Sequence, residues 1–245
     1  MPENSLIPEK YHILSGSALK VIAVTAMILD HIATVFLSPN AAPILRILGH
    51  TLTSYSLLRL IGRIAFPIFA FLLVEGFYYT RDRRKYGVRL FLFAVISEIP
   101  WNLAFFGNVF YLSAQNVFFT LFLGYLALCV IDHLKNSEDP GIKIRDAVFL
   151  VGLFAVSLVF RADYGCAGFG FILMMYFLRS EPLFRAVLSG CMLSSRWKAG
   201  LSAIPISLYN GKRGFIHGRA MKIAFYAIYP VHLLILFVIH GYLLV

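Results

Sequence analysis

Charged residues are scarce in this sequence, and acidic residues are the scarcest of them. Asp and Glu together number 12, and all charged residues make up 14% of the 245-residue chain, whereas soluble domains contain about 25%. Hydrophobic residues account for 60%, and the mean hydropathy is +0.79. This composition excludes an ordinary soluble core. It predicts an all-α polytopic integral membrane bundle, because an open sheet would leave backbone groups unpaired in lipid.

Cysteine and metal-ligand patterns are equally sparse. Cys129, Cys166 and Cys191 are odd in number and form no CxxC pair, so no disulfide framework is indicated. No two histidines have metal-ligand spacing with a carboxylate between them, so we expect no metal. The net charge of +10 comes from Lys and Arg in short segments between apolar runs. That distribution is typical of membrane topology rather than of nucleic-acid binding, and we expect no nucleic acid partner.

The apolar runs and the basic segments between them predict about nine transmembrane helices, within a range of about eight to ten. Crossings are predicted at about residues 19–37, 61–79, 88–106, 116–131, 147–160, 168–178 and 220–245, with two short crossings within 182–209. Residues 44–60 are interpreted as a surface or re-entrant helix. The densest basic cluster, Arg81–Lys85, is expected in the cytoplasm. This places the polar segment 1–17 there too, ahead of a single transmembrane domain at 18–245.

The first apolar run, Leu19–Leu37, contains Lys20 at its start and Asp30 and His31 in its middle. Ionisable groups inside a membrane are costly and are functional by default. The eleven-residue step from Lys20 to His31 returns to nearly the same helix face, roughly 16 Å further along. His31 is therefore interpreted as a base or nucleophile, with a purely structural histidine as the alternative. The side chain of Asp30 points about 100° away from that of His31 around the helix, so we expect Asp30 first of all to pair with another helix. We also count it as a catalytic candidate.

Further ionisable residues occur in later segments. Arg59 and Arg63 share a helical face if one helix includes both, and their guanidinium groups suit phosphate or carboxylate recognition. The alternative is ion pairing with an acid. The acids that could pair with Arg59 or Arg63 are Glu75, Glu98 and Asp163, and Glu75 or Glu98 could instead neutralise Arg89. Lys212 and Arg213 lie in a glycine-containing basic loop that could hold the phosphates of a soluble cofactor. His232, two residues after Pro230, is expected to form a local hydrogen bond.

Several ordered motifs resemble one known family. They are Leu19–Ala23, Met27–His31, Arg59–Phe71, Ser97–Pro100, Gln115-Asn116, Asp163–Gly165, Tyr209–Gly214 and Phe225–His232. Together they resemble the TraX family, whose namesake is the F-pilin acetylase of bacterial conjugation systems. The resemblance runs from about Ala18 to Leu234. The spacing of Lys20 and His31 is also similar to the Arg/Lys-x10-His signature of the membrane acyltransferase-three group, in which the histidine is held to be catalytic and acetyl-coenzyme A is the cytoplasmic donor.

This resemblance implies an acetyl-coenzyme A-dependent acetyltransferase in the lipid of the bacterial inner membrane. It implies an amine or hydroxyl acceptor on a small molecule, glycan or polypeptide. It does not imply that pilin, the substrate of the namesake, is also the substrate of this chain. The catalytic candidates are His31, Asp30 and Arg63. The cofactor-binding candidates are Lys20, Arg59, Lys212 and Arg213. The expected intramembrane polar support comes from Glu75, Glu98, Asn116, Asp163, Tyr226 and His232.

Two other classes of function remain open on the sequence. A proton-coupled secondary transporter or flippase would use Glu75, Glu98, Arg63 and His31 as a proton relay and substrate site. A scaffold within a membrane assembly would tolerate His31→Ala but not substitutions that disturb helix packing.

Overall fold

The structure, a computed structural model, describes residues 8–40, 42–47, 50–181 and 200–243. A short 3-10 turn, Glu9–Tyr11, precedes the first helix. The helices are α1 Gly16–Phe36, α2 Ser54–Gly62, α3 Ala65–Tyr79, α4 Arg83–Phe106, α5 Val117–Asn136, α6 Pro140–Val159, α7 Gly165–Phe177, α8 Ala203–Ser207 and α9 Gly218–Leu243. Strands β1, Pro43–Ile47, and β2, His50–Thr53, form one antiparallel hairpin. The predicted all-α membrane bundle is confirmed.

Within the part of the chain that the structure describes, five spans are long and apolar enough to cross a membrane. They are α1, the α2–α3 pair, α4, α5 and α9. Helix α6 is equally long but has Lys143, Arg145 and Asp146 in its first half, and α7 has only 13 residues. The chain is thus a multi-pass membrane protein. The count of about nine stays a prediction, because most of the stretch 182–209, with its two predicted crossings, lies outside the described residues.

The expected helix at 44–60 is wrong for its first part, where the hairpin lies instead. Helix α2 begins only at Ser54, because Thr53 and Ser56 form a reciprocal capping box. The Thr53 hydroxyl accepts from the Ser56 N–H at 3.1 Å, and the Ser56 hydroxyl accepts from the Thr53 N–H at 2.8 Å. Both N–H groups at the start of the helix are thereby satisfied. The predicted crossing at 61–79 is correspondingly a helix pair that breaks after Gly62.

Helices α1, α4 and α9 run parallel to one another. The N–H groups of Gly16 and Ser17 donate to the carbonyls of Lys212 and Arg213 at 2.8 and 2.9 Å, so α1 starts beside the loop that leads into α9. Fifteen residues further along α1, His31 meets His232 of α9. Both helices therefore begin at one end of the bundle, which we call the basic end, and reach the histidines toward the opposite end, the histidine end.

Helix α4 has the same direction. Near its start, Arg89 lies within electrostatic range of Lys222 of α9, and the Phe93 ring stacks on that of Tyr226 at 5.0 Å. Near its end, Trp101 and Phe105 surround His31. The three parallel helices thus connect the basic end with the histidine end.

Candidate active site

His31 lies in an apolar box of aromatic rings at the histidine end. Its side chain comes from the buried face of α1, and the residue is 8% exposed. The edges or faces of Phe105, Tyr229 and Trp101 meet it at centroid distances of 5.2, 6.0 and 6.1 Å. Because these rings exclude water, the imidazole lies in a low-dielectric environment in which its polar contacts are strengthened.

The polar partner of His31 is His232. The His31 Nδ1 and His232 Nε2 atoms are 2.7 Å apart, and the two rings are nearly parallel, with 9° between their planes. His232 Nδ1 lies 2.8 Å from the carbonyl oxygen of Ile228, one turn earlier in α9. The sequence predicts this local bond but not the contact with His31, since the two histidines are 201 residues apart. The pair depends on α1 and α9 lying side by side.

Asp30 points to a different neighbour. It forms an ion pair with Arg59 of α2, and the same guanidinium donates to the Thr34 hydroxyl at 3.0 Å. This is the interhelical pairing expected for Asp30. The prediction that Glu75, Glu98 or Asp163 neutralises Arg59 is wrong, because Asp30 on the helix packed against α2 supplies that carboxylate. Arg59 also lies at the opposite end of the bundle from Lys20, so the structure does not bring these two cofactor-binding candidates together.

Arg63 follows α2 and lies close to Tyr164, just before α7. The Tyr164 ring stacks on Phe66 at 3.9 Å. Burial raises the pKa of Tyr164 to about 12, so its hydroxyl keeps its proton at neutral pH. Asp163 is held through its backbone, whose N–H donates to the Gln115 carbonyl at 2.8 Å. Arg63 and Asp163 thus belong to the histidine end.

Glu98 joins α4 to the start of α5. Its Oε2 accepts from the Asn116 side-chain amide at 2.7 Å and from the Asn116 N–H at 3.2 Å. The same Asn116 donates to the Ala94 carbonyl at 2.8 Å and caps α5 through the Phe118 N–H at 3.0 Å. In the part of the chain that the structure describes, Glu98 therefore has a neutral amide partner instead of the predicted arginine.

Glu75 lies at the basic end, far from the histidines. It accepts from Arg179 Nε at 2.9 Å, and the neighbouring Gly76 packs against Tyr86 in the first turns of α4. The prediction that Glu75 neutralises Arg59, Arg63 or Arg89 is wrong, since Arg179 after α7 supplies the cation. This ion pair ties the end of α3 to the end of α7.

A group of cations lines the basic end between α1, α4 and α9. Lys20 lies within electrostatic range of Arg213 and Lys222, and Lys222 within range of Arg89. The Lys20 ammonium is 6.0 Å from the centre of the Phe225 ring. Sequence reasoning proposed Lys20 and Arg213 but missed Lys222. The signal for Lys222 is a spacing of ten residues before His232, close to the spacing of Lys20 before His31 on a parallel helix.

Lys212 and Tyr226 flank this group. Lys212 is exposed, and its N–H donates to the Asn210 side chain at 2.9 Å. Tyr226 is half-buried between Phe93 of α4 and the hydroxyl of Tyr86. The loop before α9 thus brings a second exposed cation, next to Arg213, to the start of α1.

Comparison with known proteins assigns the chain to a family. A family model described as TraX protein matches residues 15–240. The chain belongs to the TraX family. A relative from Dichelobacter nodosus, named probable fimbrial assembly protein FimC, serogroup H1, is 32% identical over 251 residues, which cover 91% of this chain and 94% of the relative. No solved structure matches the chain.

In this TraX-family chain, the matched range contains both the basic end and the histidine pair. The arrangement provides an imidazole with one ring nitrogen bonded to a second imidazole, inside an apolar box. Such a group can accept and return a proton. Among residues 8–40, 42–47, 50–181 and 200–243, no group of three or more His, Cys, Asp or Glu side chains is placed to hold a metal ion.

Proposed function

We propose that the chain is an inner-membrane acetyltransferase that moves an acetyl group from cytoplasmic acetyl-coenzyme A to an amine or hydroxyl. The observation that carries the proposal is the buried His31–His232 pair, in which an imidazole within a membrane-spanning helix is held by a second imidazole. A structural role alone would not need two titratable rings inside a bundle. The proposal includes the relation to the acyltransferase-three group, to which the Lys20-x10-His31 spacing is similar.

The donor would enter from the basic end, which we assign to the cytoplasm. Its phosphates would meet Lys20, Lys212 and Arg213, together with Lys222 and Arg89. The pantetheine arm would then extend along the parallel helices toward His31, roughly 16 Å from Lys20 along α1. We assign Arg59 and Asp30 to the bracing of α1 against α2 rather than to the cofactor or the chemistry.

The proposed reaction uses His31 as a general base. The acceptor amine or hydroxyl gives its proton to His31 and forms a bond to the acetyl carbonyl carbon. The carbon–sulfur bond then breaks, and the departing coenzyme A thiolate takes the proton back from His31. The products are the acetylated acceptor and coenzyme A thiol, so atoms and charge balance. Arg63, at the same end, would stabilise the negative charge that develops on the carbonyl oxygen.

The acceptor that we would examine first is an exported polypeptide. The Dichelobacter nodosus relative is named as a fimbrial assembly protein, so a subunit of a surface fibre is a reasonable first substrate. Membrane-associated glycans and small molecules with free hydroxyl groups are the next classes.

The test uses the full chain in lipid nanodiscs with radiolabelled acetyl-coenzyme A and membranes from the source cells. We expect transfer of label, and we expect His31→Gln to lower kcat by about 100- to 10,000-fold, the usual contribution of a general base. Coenzyme A binding should not change in this variant. The matched control is His240→Gln on α9, whose ring contacts Phe36 at 5.9 Å. Wild-type rates for His31→Gln would overturn the proposal.

The transporter alternative has less support. It requires Glu75, Glu98, Arg63 and His31 to act as one relay, but Glu75 pairs with Arg179 at the basic end and the other three lie toward the histidine end. Proton-dependent uptake into vesicles without coenzyme A would favour that alternative. A scaffold would transfer no acetyl group, and it would tolerate His31→Gln but not substitutions that disturb helix packing.

A further inference from the structure

The hydrogen bond between the two histidines has a direction that their surroundings set. His232 Nδ1 lies 2.8 Å from the Ile228 carbonyl oxygen, and a carbonyl oxygen can only accept. His232 Nδ1 therefore carries the proton. A neutral imidazole has one N–H, so His232 Nε2 has a lone pair, and His31 Nδ1 at 2.7 Å must donate to it. His31 Nε2 is left as the nitrogen without a proton.

The end of this chain of hydrogen bonds is a backbone carbonyl rather than a carboxylate. A carbonyl carries no charge that would balance an imidazolium, and a charged ring is costly inside a membrane, so we take both rings to be neutral at rest. The carbonyl belongs to the same helix as His232 and lies one turn away, so α9 itself fixes the His232 ring. The aromatic edges of Trp101 and Phe105 hold His31 from α4. Both ring orientations are thus determined by rigid elements.

We propose that His232 is a positioning residue that keeps His31 in the tautomer with a bare Nε2, and that Nε2 is the atom that accepts the proton of the acceptor. This inference rests on the proposed acetyltransferase function. When Nε2 takes the proton, His31 becomes a cation and its Nδ1–H bond to His232 becomes charge-assisted, which strengthens it. His232 thereby stabilises the charged intermediate without touching the acceptor. The proton leaves again from Nε2 to the coenzyme A thiolate.

The kinetic test compares two replacements of His232. His232→Leu removes the acceptor of the His31 bond, and kcat should fall by about 10- to 100-fold, as expected for a hydrogen bond to a charged group, while KM for acetyl-coenzyme A stays constant. His232→Gln places an amide oxygen in that position and should recover most of the loss. The matched control is His240→Leu, two turns further along the same helix. Coenzyme A binding and thermal unfolding of each variant verify that it is folded.

A second readout does not depend on activity. In protein labelled with nitrogen-15 at histidine, the His31 signals are those that disappear in His31→Gln. Wild-type His31 should show a protonated Nδ1 and an unprotonated Nε2, and His232→Leu should shift it toward a mixture of tautomers. A protonated Nε2 in the wild type would overturn the inference.

The two proposals fail in different ways. An unchanged kcat for His232→Leu in a protein that transfers acetyl groups would overturn the role of His232 and leave the enzymatic function standing. A wild-type protein that neither binds coenzyme A nor transfers acetyl groups would overturn the enzymatic function and, with it, the role of His232.

Discussion

Asp30 and His31 are neighbours in α1, but their side chains contact different helices. Successive side chains on a helix point about 100° apart, so Asp30 reaches Arg59 on α2 while His31 faces α9 and α4. The Asp30 and Arg59 side chains are 15% and 23% exposed, which makes their pair only partly screened by solvent. Removal of one partner takes the ion pair away from a charge that lies inside the bundle, which is costly for such pairs.

We therefore predict that Asp30 contributes to stability rather than to turnover. Asp30→Asn and Arg59→Gln should each lower the free energy of unfolding, and the double variant should lose less than the sum, with a coupling of about 1–3 kcal/mol. The measurement is chemical unfolding in detergent for the four proteins of the cycle. The proposed acetyl transfer, measured per folded molecule, should stay near the wild-type value in Asp30→Asn and in the double variant. If Asp30→Asn is folded but inactive, Asp30 has a catalytic role after all.

The sequence indicates which residues at the site are unusual, but not how they pair. The cost of an ionisable group in lipid singles out His31, Asp30 and Glu75 from their positions in apolar runs alone. The choice among several possible cations for Glu75 depends on which helix ends meet, and nothing in the local sequence around Arg179 marks it as the partner. For the same reason the position of His232 predicts only a local bond. Pairing between distant helices is a property of packing, and no local spacing encodes it.

At the scale of elements, the contact between α1 and α2 depends on a residue without a side chain. Gly62, the last residue of α2, lies against the side chain of Asp30, and a Cβ atom at this position would overlap it. This close approach brings α2 near enough for Arg59, one turn earlier, to reach the same carboxylate. Gly62 thus contributes to the ion pair through the distance between the two helices.

Gly62→Ala should accordingly destabilise the bundle by about 1–3 kcal/mol, the usual cost of overpacking, and should weaken the Asp30–Arg59 pair. Thermal unfolding in detergent measures the effect. Gly152→Ala is the matched control, because no atom lies within 4 Å of a Cβ at this position in α6. It should be neutral or slightly stabilising, since alanine is the better helix former. Equal stability of the two variants would contradict the role of Gly62.

The elements themselves are predictable to different degrees. Long apolar runs predict α1, α4, α5 and α9 because their composition alone requires burial in lipid. The segment before α2 is also apolar, and its hydropathy favours a helix where the hairpin lies. Hydropathy does not distinguish a hairpin from a helix, and the true helix start is marked instead by the Thr53-x-x-Ser56 capping box, a signal of polar residues.

At the scale of the whole molecule, the parallel course of α1 and α9 restricts the topology. Between two membrane-spanning helices that run in the same direction, the chain crosses the membrane an odd number of times. The total from α1 to α9 is then odd as well, which is compatible with nine crossings but not with eight or ten. The N–H groups of Gly16 and Ser17 donate to the carbonyls of Lys212 and Arg213, so the loop around Lys212 lies on the same side as the start of α1. We propose that this side is the cytoplasm, as the positive-inside rule predicts for a basic loop.

This orientation can be measured with single cysteines in a chain whose three native cysteines are replaced by serine. Leu112, which is 88% exposed in the loop between α4 and α5, lies at the histidine end, so Leu112→Cys should react with a membrane-impermeant maleimide in intact spheroplasts. Arg84→Cys and Lys212→Cys, exposed at the basic end, should react only after the membrane is opened. The donor proposal depends on this result, since acetyl-coenzyme A is available on the cytoplasmic side. Labelling of Arg84→Cys or Lys212→Cys in intact spheroplasts would place the cations outside, and a cytoplasmic thioester could then no longer approach His31 along the path between α1, α4 and α9.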